Sequence, residues 1–311
     1  MTSQADPRIH VDLAHLQALK GKARQITFLP GQPVHSILNG RHASRLKGRG
    51  LNFEELRHYS VGDDIRTIDW KVTARAREPY VRVYTEERDR PALLIVDQRM
   101  SMYFGSQLNM KSVTAAEAAA LAAFRIRDQG DRVGGIVFTD EAVVEHRPQS
   151  SQKALNRFLA SVASANTALS ADHIPVASVS LNQPLAAAAR IAKTNGLILV
   201  FSDFDGMDEI TEKILRNLAQ RNDVIVFTVT DPIADNLPEG LDIVVSDGEL
   251  QAQVTFGSDQ TRARLQEFAS TRLKSLLSLT RKYGISVLPL SAAAETLPQI
   301  LELMGARRGR T

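Results

Sequence analysis

The 311-residue chain contains no cysteine, which excludes disulfides and thiolate metal sites. No window approaches the roughly 18 consecutive apolar residues of a membrane span. The N-terminus, MTSQADPRIH, lacks the basic-then-apolar pattern of a secretory signal. These absences predict a cytoplasmic protein without a membrane span, leaving open tethering through a partner. There is no P-loop and no H-E-x-x-H among the histidines His10, His15, His35, His42, His58, His146 and His173, so neither ATP binding through a P-loop nor a helical zinc site is expected. The G-x-S-x-G nucleophile elbow is missing as well. Charge of one sign is not concentrated: the net charge is +3, and residues 41–90 carry 12 Lys/Arg against 9 Asp/Glu. A nucleic-acid-binding face needs a denser basic patch. The C-terminal Arg307, Arg308 and Arg310 are expected to form a short solvated tail. There is no internal repeat and no low-complexity linker.

What is present is a core. Hydrophobic residues make up 43%, enough for a buried interior in one large or two ordinary domains. Two textures divide the chain. Residues 1–90 open with a helix-spaced stretch, VDLAHLQALK, with Leu13, Leu16 and Leu19 three apart. They continue as charged, irregular sequence, with short strands expected at 24–28 and 81–86. From 91 onward, apolar strands alternate with helical patterns. Strands are expected at 92–97, 132–138, 142–146, 196–202, 223–229 and 285–290. Helices are expected at 110–128, 151–164, 183–194, 208–221, 258–283 and 294–304. Near-continuous apolar strands suit a parallel sheet covered on both faces. The alternation predicts a doubly wound, mostly parallel α/β domain over 91–305, preceded by a smaller β-rich extension over 1–90 and followed by the tail 306–311.

The residues between Gly48 and Ser101 carry a family resemblance. Gly48, Gly50, Phe53, Arg57 to Tyr59, Gly62-Asp63-Asp64, Arg66, Asp69-Trp70 and Ala74-Arg75 resemble the bacterial domain-of-unknown-function family numbered 58. The core of that family looks like a von Willebrand factor A domain, and its members are commonly encoded beside MoxR-type AAA+ ATPases. The resemblance implies a non-enzymatic adaptor or chaperone-like partner of such an ATPase and its client proteins. Its work would be assembling, activating or inserting cofactors into other proteins.

It also implies a metal-ion-dependent adhesion site at the loop Asp97-Gln98-Arg99-Met100-Ser101, in the place of a D-x-S-x-S motif. Mg²⁺ takes oxygen ligands in near-octahedral geometry. Asp97, Ser101 and Asp203 match three of the expected ligand positions, and Ser178 or Ser180 lies where a threonine is expected. Arg99 stands in place of the middle serine and makes the site degenerate, with either no cofactor or weakly bound Mg²⁺. Two readings of Arg99 stay open. It is an internal cation replacing the metal, or it swings outward to bind a partner's acidic group.

The block Arg57, Asp63, Asp64, Arg66, Asp69 and Arg75 is read either as an ion-pair network that fixes geometry or as a protein-binding surface. Trp70, the single tryptophan, is expected to be buried at the junction of the two parts. Two other functions are weighed. One is a metal-dependent phosphotransferase or phosphatase using Asp203 and Asp205 of the D-x-D-G stretch, a chemistry open to carboxylates. The other is a nucleic-acid-binding module using the arginines of 41–90.

Overall fold

The computed structural model describes residues 6–26, 33–34, 44–45, 51–60, 63, 65–86, 90–172, 179–234, 242–246, 251–255, 272 and 274–304. Its centre is a six-stranded sheet, whose elements are numbered here in chain order from residue 91. The strands are β1 Pro91–Asp97, β2 Arg132–Phe138, β3 Val143–Gln149, β4 Leu197–Ser202, β5 Asp223–Thr230 and β6 Ser286–Ser291. Their order is β6-β5-β4-β1-β2-β3, and only β3 is antiparallel. The helices are α1 Lys111–Asp128, α2 Gln152–Ala168, α3 Asn182–Ile191, α4 Glu209–Arg221, α5 274–283 and α6 Thr296–Leu303. The expected doubly wound α/β architecture is therefore present. The chain leaves β1 toward β2 on one side and returns to β4 on the other, so the strand order reverses beside Asp97.

Two apolar clusters sandwich the sheet. One joins Leu94, Val96 and Leu199 to α1, α2 and α6; the other joins Leu93, Ile95 and Ile198 to α3 and α4. Helix α1 is buried almost all round, since Ala115, Ala116, Ala118, Ala119, Ala120, Ala122 and Ala123 are all inaccessible or nearly so. Short side chains let other helices pack close to it. Gly135 serves the same end across the sheet. A Cβ there would lie 2.1 Å from the Phe158 ring of α2, closer than any real contact.

The N-terminal helix Leu13–Ala18 belongs to this core. Val11, Leu16, Leu19, Ala23 and Ile26 are buried in the same cluster as α1. The boundary drawn at residue 90 thus cuts through one core. The expected strand at 24–28 is not formed over 24–26, which are turn and irregular; residues 27 and 28 lie outside the described residues. Two hairpins were not foreseen as such. One pairs Leu51–His58 with Tyr80–Glu86 and encloses a short helix, Trp70–Ala76; the other pairs Asp242–Ser246 with Gln251–Thr255. Of the helix expected at 258–283, residues 272 and 274–283 are described, and they are helical.

Trp70 corrects the sequence reading, being 66% exposed rather than a buried anchor. Asp69 caps the short helix by accepting from the amides of Lys71 and Val72 at 3.0 and 3.2 Å, which places Trp70 at its first position. The half-buried side of the helix is Val72 and Thr73. Trp70 lies about 110° round the axis from the middle of that side, in the exposed first turn.

Glu117 ties three segments together from within α1. One carboxylate oxygen meets His15 Nε2 at 2.7 Å, and the other accepts from Thr296 Oγ1 at 2.5 Å. The hydrogen bond to Glu117 raises the His15 pKa above its ordinary 6.5. The fold therefore favours protonated His15. That stabilisation is complete below about pH 6.5 and is lost as pH rises through the raised folded value. We expect His15→Ala to lower the melting temperature more at pH 6 than at pH 8.5. An equal deficit at both pH values in thermal melts monitored by circular dichroism would refute the linkage.

Candidate functional site

The carboxyl ends of β1 and β4 bring Asp97 and Asp203 into one crevice, where open α/β sheets bind ligands. Both strands are apolar and fully buried up to these positions, so the sheet drives two carboxylates to the edge of its own interior. Asp97 is fully inaccessible and Asp203 is 5% exposed. Isolated carboxylates in such places are costly, and each has its own cation.

Arg99 clasps Asp97 in a two-pronged ion pair. Its Nε donates to Oδ1 at 3.0 Å and its Nη2 to Oδ2 at 2.8 Å. The Arg99 backbone amide donates to the same Oδ1 at 3.1 Å. Nη2 also donates to the Asp205 carbonyl at 3.1 Å, and the guanidinium lies 5.3 Å from the Phe138 ring centroid. The fourth partner of Asp97 is Ser202, whose hydroxyl donates at 2.6 Å.

Lys111 is the second cation, and nothing in the sequence reading singled it out. It opens α1, and its Nζ donates to Asp203 Oδ2 at 2.7 Å. The other oxygen of Asp203 accepts from the Asp205 amide at 3.0 Å and from Ser101 Oγ at 3.4 Å. Asp205 in turn accepts from Arg272 Nη2 at 2.5 Å. Between Asp203 and Asp205 the chain turns through Phe204, a buried residue with φ of +57°. Such left-handed backbone in a bulky residue is strained and persists only where its surroundings enforce it. Here the Phe204 amide donates to Ser202 Oγ at 2.8 Å.

Charge and burial pull the two carboxylates apart. For Asp97, burial is the largest influence and raises the pKa, with the neighbouring Asp203 adding to the rise against the pull of Arg99. For Asp203, burial again works upward, but the Lys111 ammonium and its hydrogen bond, with help from the Asp205 amide and Arg99, carry the pKa below the ordinary carboxylate value. Arg99 stays charged throughout, its protonated form favoured by both carboxylates.

The loop is also fastened from behind. Gln98, wholly buried, donates to the Ser112 carbonyl at 3.0 Å and accepts from Asn166 Nδ2 at 2.9 Å. Asn166 Oδ1 accepts from the Val11 amide at 2.7 Å. Asp140, whose pKa burial raises, accepts from the Met100 amide at 2.6 Å. The N-terminal segment, α1, α2 and the loop after β2 thus all hold this loop.

The family resemblance implies a divalent cation here, and these residues as arranged do not fit one. The oxygens of Asp97 face a guanidinium, and Asp203 faces an ammonium. Ser101 spends its hydroxyl on Asp203, at 3.4 Å. Among the described residues, no group of three or more His, Asp or Glu side chains is placed to hold a metal. Ser180 is described and Ser178 lies outside the described residues. Arg99 itself is 5% exposed, so its fork is not presented to a partner.

The second group of expected residues lies on the hairpin Leu51–His58 and Tyr80–Glu86 and its connection. Arg57 grips Asp63 with two hydrogen bonds, at 2.9 and 2.7 Å, and Asp63 also accepts from the Ser60 amide at 2.8 Å. Asp69 is the helix cap described above. Arg66 and Arg75 are exposed, and Asp64 lies outside the described residues. An ion pair joins Arg57 to Asp63, Asp69 acts as a helix cap, and Trp70 and Arg75 are exposed beside them.

The Lys111–Asp203 pair yields a direct test. Removing one partner of a buried ion pair strands the other charge, at a typical loss of roughly 3–5 kcal/mol. Because the wild-type Asp203 pKa is lowered, its stabilisation is present at neutral pH and fades as pH falls through the folded value. Lys111→Met should therefore lose about that much stability at pH 7 in urea unfolding. The deficit should shrink toward pH 4, where the stranded carboxyl is protonated. A deficit that is absent at pH 7, or that grows in acid, would contradict the pairing.

Comparison with known proteins agrees with the resemblance read from residues 48–101. The profile of the family described as "Protein of unknown function DUF58" matches residues 55–275. The chain is 28% identical to "Uncharacterized protein Rv1480" of Mycobacterium tuberculosis over 295 residues, covering 93% of this chain and 90% of the relative. The same figures hold for "Uncharacterized protein Mb1516" of Mycobacterium bovis. Among solved structures, the VWA domain of SpRpn10 is similar at 10% identity and a TM-score of 0.37, over 71% of this chain and 98% of that one. The match of the family profile over most of the chain shows that this protein belongs to the DUF58 family.

Proposed function

We propose that this chain is a non-enzymatic, protein-binding adaptor that works with a MoxR-type AAA+ ATPase and its clients, as the family resemblance implies. The observation that carries the reading is the exposure of Trp70. Of the large hydrophobic side chains exposed among the described residues, Leu56, Ile65 and Trp70 fall within one short stretch, at 37%, 63% and 66%. Exposed apolar groups close together in sequence suit an interaction surface, and tryptophan and arginine are enriched among the residues that dominate protein interfaces. Arg66, Lys71 and Arg75 stand beside Trp70 in sequence and are exposed, which suits a partner segment that is both apolar and acidic.

The crevice supports the absence of catalysis. A carboxylate pair with pKa values pushed apart is an acid–base signature, but a base must reach its substrate. Asp97 and Asp203 are buried with all four oxygens engaged. This also removes support from the phosphotransferase reading, since Asp203 would be the nucleophile. The nucleic-acid reading loses one of its cations, because the Arg57 fork is closed on Asp63.

Affinity capture from the source cells, with Mg²⁺ and ATP present, tests the proposal. An AAA+ ATPase identified by mass spectrometry should co-purify with the wild type. Its recovery should fall at least several-fold with Trp70→Ala, whose melting temperature stays within about a degree of wild type because the side chain is exposed. Equal recovery by both would remove this surface as the contact, and no ATPase with the wild type would overturn the adaptor role.

A further inference from the structure

The amino ends of β1 and β4, opposite the crevice, carry a cavity of about 420 Å³, within the range of small-molecule sites. Its origin is a mismatch of lengths. Helix α3 begins near the carboxyl ends of the strands, where the Val179 amide donates to the Asp140 carbonyl at 2.8 Å. It has 10 residues and so spans roughly 15 Å. The 7-residue strands it covers run roughly 23 Å. The helix stops short, and the half-buried Pro91, Pro148, Ile191 and Ala192 give the space an apolar lining over Leu93 and Ile198, which are themselves almost fully buried.

The rim of this cavity is basic. Arg190 and Lys193 come from the end of α3, Arg132 from the start of β2, and Arg147 from β3, against one carboxylate, Glu145. Arg190 pairs with Glu145. Arg147 and Lys193 have no ion-pair partner among the described residues. Arg147 shares a face with Glu145, two residues before it, and sits beside a β-bulge. Between Val133↔Gln149 and Gly135↔His146 the edge strand carries one extra residue, and Gly134 makes room for it. A Cβ on Gly134 would lie 2.4 Å from the His146 carbonyl oxygen and 2.5 Å from Pro148 N. A plain structural account of cations at a helix C-terminus explains Arg190 and Lys193 through the helix dipole. It does not explain Arg147, on a strand, facing the same apolar-lined space.

We propose that this cavity binds a small amphipathic anion, a phosphate or carboxylate on an apolar body. The apolar part rests against Pro148, Ile191 and Ala192, and the anionic group meets Arg147 and Lys193. The site is independent of the Trp70 surface and of the Asp97–Asp203 crevice.

The test uses the full chain and the fluorescent probe 1-anilinonaphthalene-8-sulfonate, which carries one anionic group on an apolar body. Saturable binding is expected, displaced by octyl phosphate or octanoate and not by octylamine. Arg147→Glu combined with Lys193→Glu, both exposed positions, should raise the dissociation constant at least tenfold while circular dichroism melts stay unchanged. Ala192→Trp, which adds bulk inside the cavity wall, should weaken the probe without altering charge. The proposal fails if binding is not saturable, if octylamine competes as well as octyl phosphate, or if neither variant changes the affinity.

Discussion

The structure turns on two buried ion pairs, Arg99 with Asp97 and Lys111 with Asp203, set side by side at the point where the strand order reverses. A doubly wound sheet delivers whatever residues end its central strands to one crevice. In this chain those residues are carboxylates, and the hydrophobic strands that present them also bury them. Charges so placed must be matched within the protein. The matching cations come from the loop after β1 and the first turn of α1, so the pairs stitch together β1, β4 and α1. Gln98 and Asn166 extend the seam to α2 and the N-terminal segment.

That arrangement separates the fold from the function its geometry first suggests. A crevice of aspartates and serines at a switch point invites a divalent cation, and here Arg99 and Lys111 meet the carboxylates instead. Buried ion pairs are weak evidence of net stability; their effect here is to fix one geometry for the loops. With the crevice closed on itself, the surfaces left for recognition lie elsewhere. The Trp70 helix displays an apolar group among cations, and the amino ends of the strands carry a basic cavity.

Much of the architecture could be read from the residues because the signals were local. ALLIVD, GLILVFS and DVIVFTV are continuous apolar runs bounded by polar residues, and the strands end within a residue or two of the positions expected. Asp97 and Asp203 were legible as neighbours because topology alone places them together. Lys111 was not, since its role depends on α1 starting beside β4, a contact 92 residues away in sequence. Trp70 misled because a large apolar residue is ordinarily buried, whereas the Asp69 cap sets the phase of a short helix and turns that position outward. The N-terminal helix showed its leucine spacing plainly, but spacing does not say which core a helix joins. The basic cavity left no motif, since it arises from the shortness of α3 and a bulge opposite Gly134.

If Arg99 and Lys111 take the place of a metal, the wild type should not bind one. Calorimetric titration of the full chain with Mg²⁺ tests this most directly, with Arg99→Ser/Lys111→Ser titrated in parallel. The account predicts no saturable binding by the wild type at millimolar Mg²⁺, and binding by the folded double variant, whose carboxylates are left unpaired. Saturable one-to-one binding by the wild type that is abolished by Asp97→Asn or Asp203→Asn would contradict it.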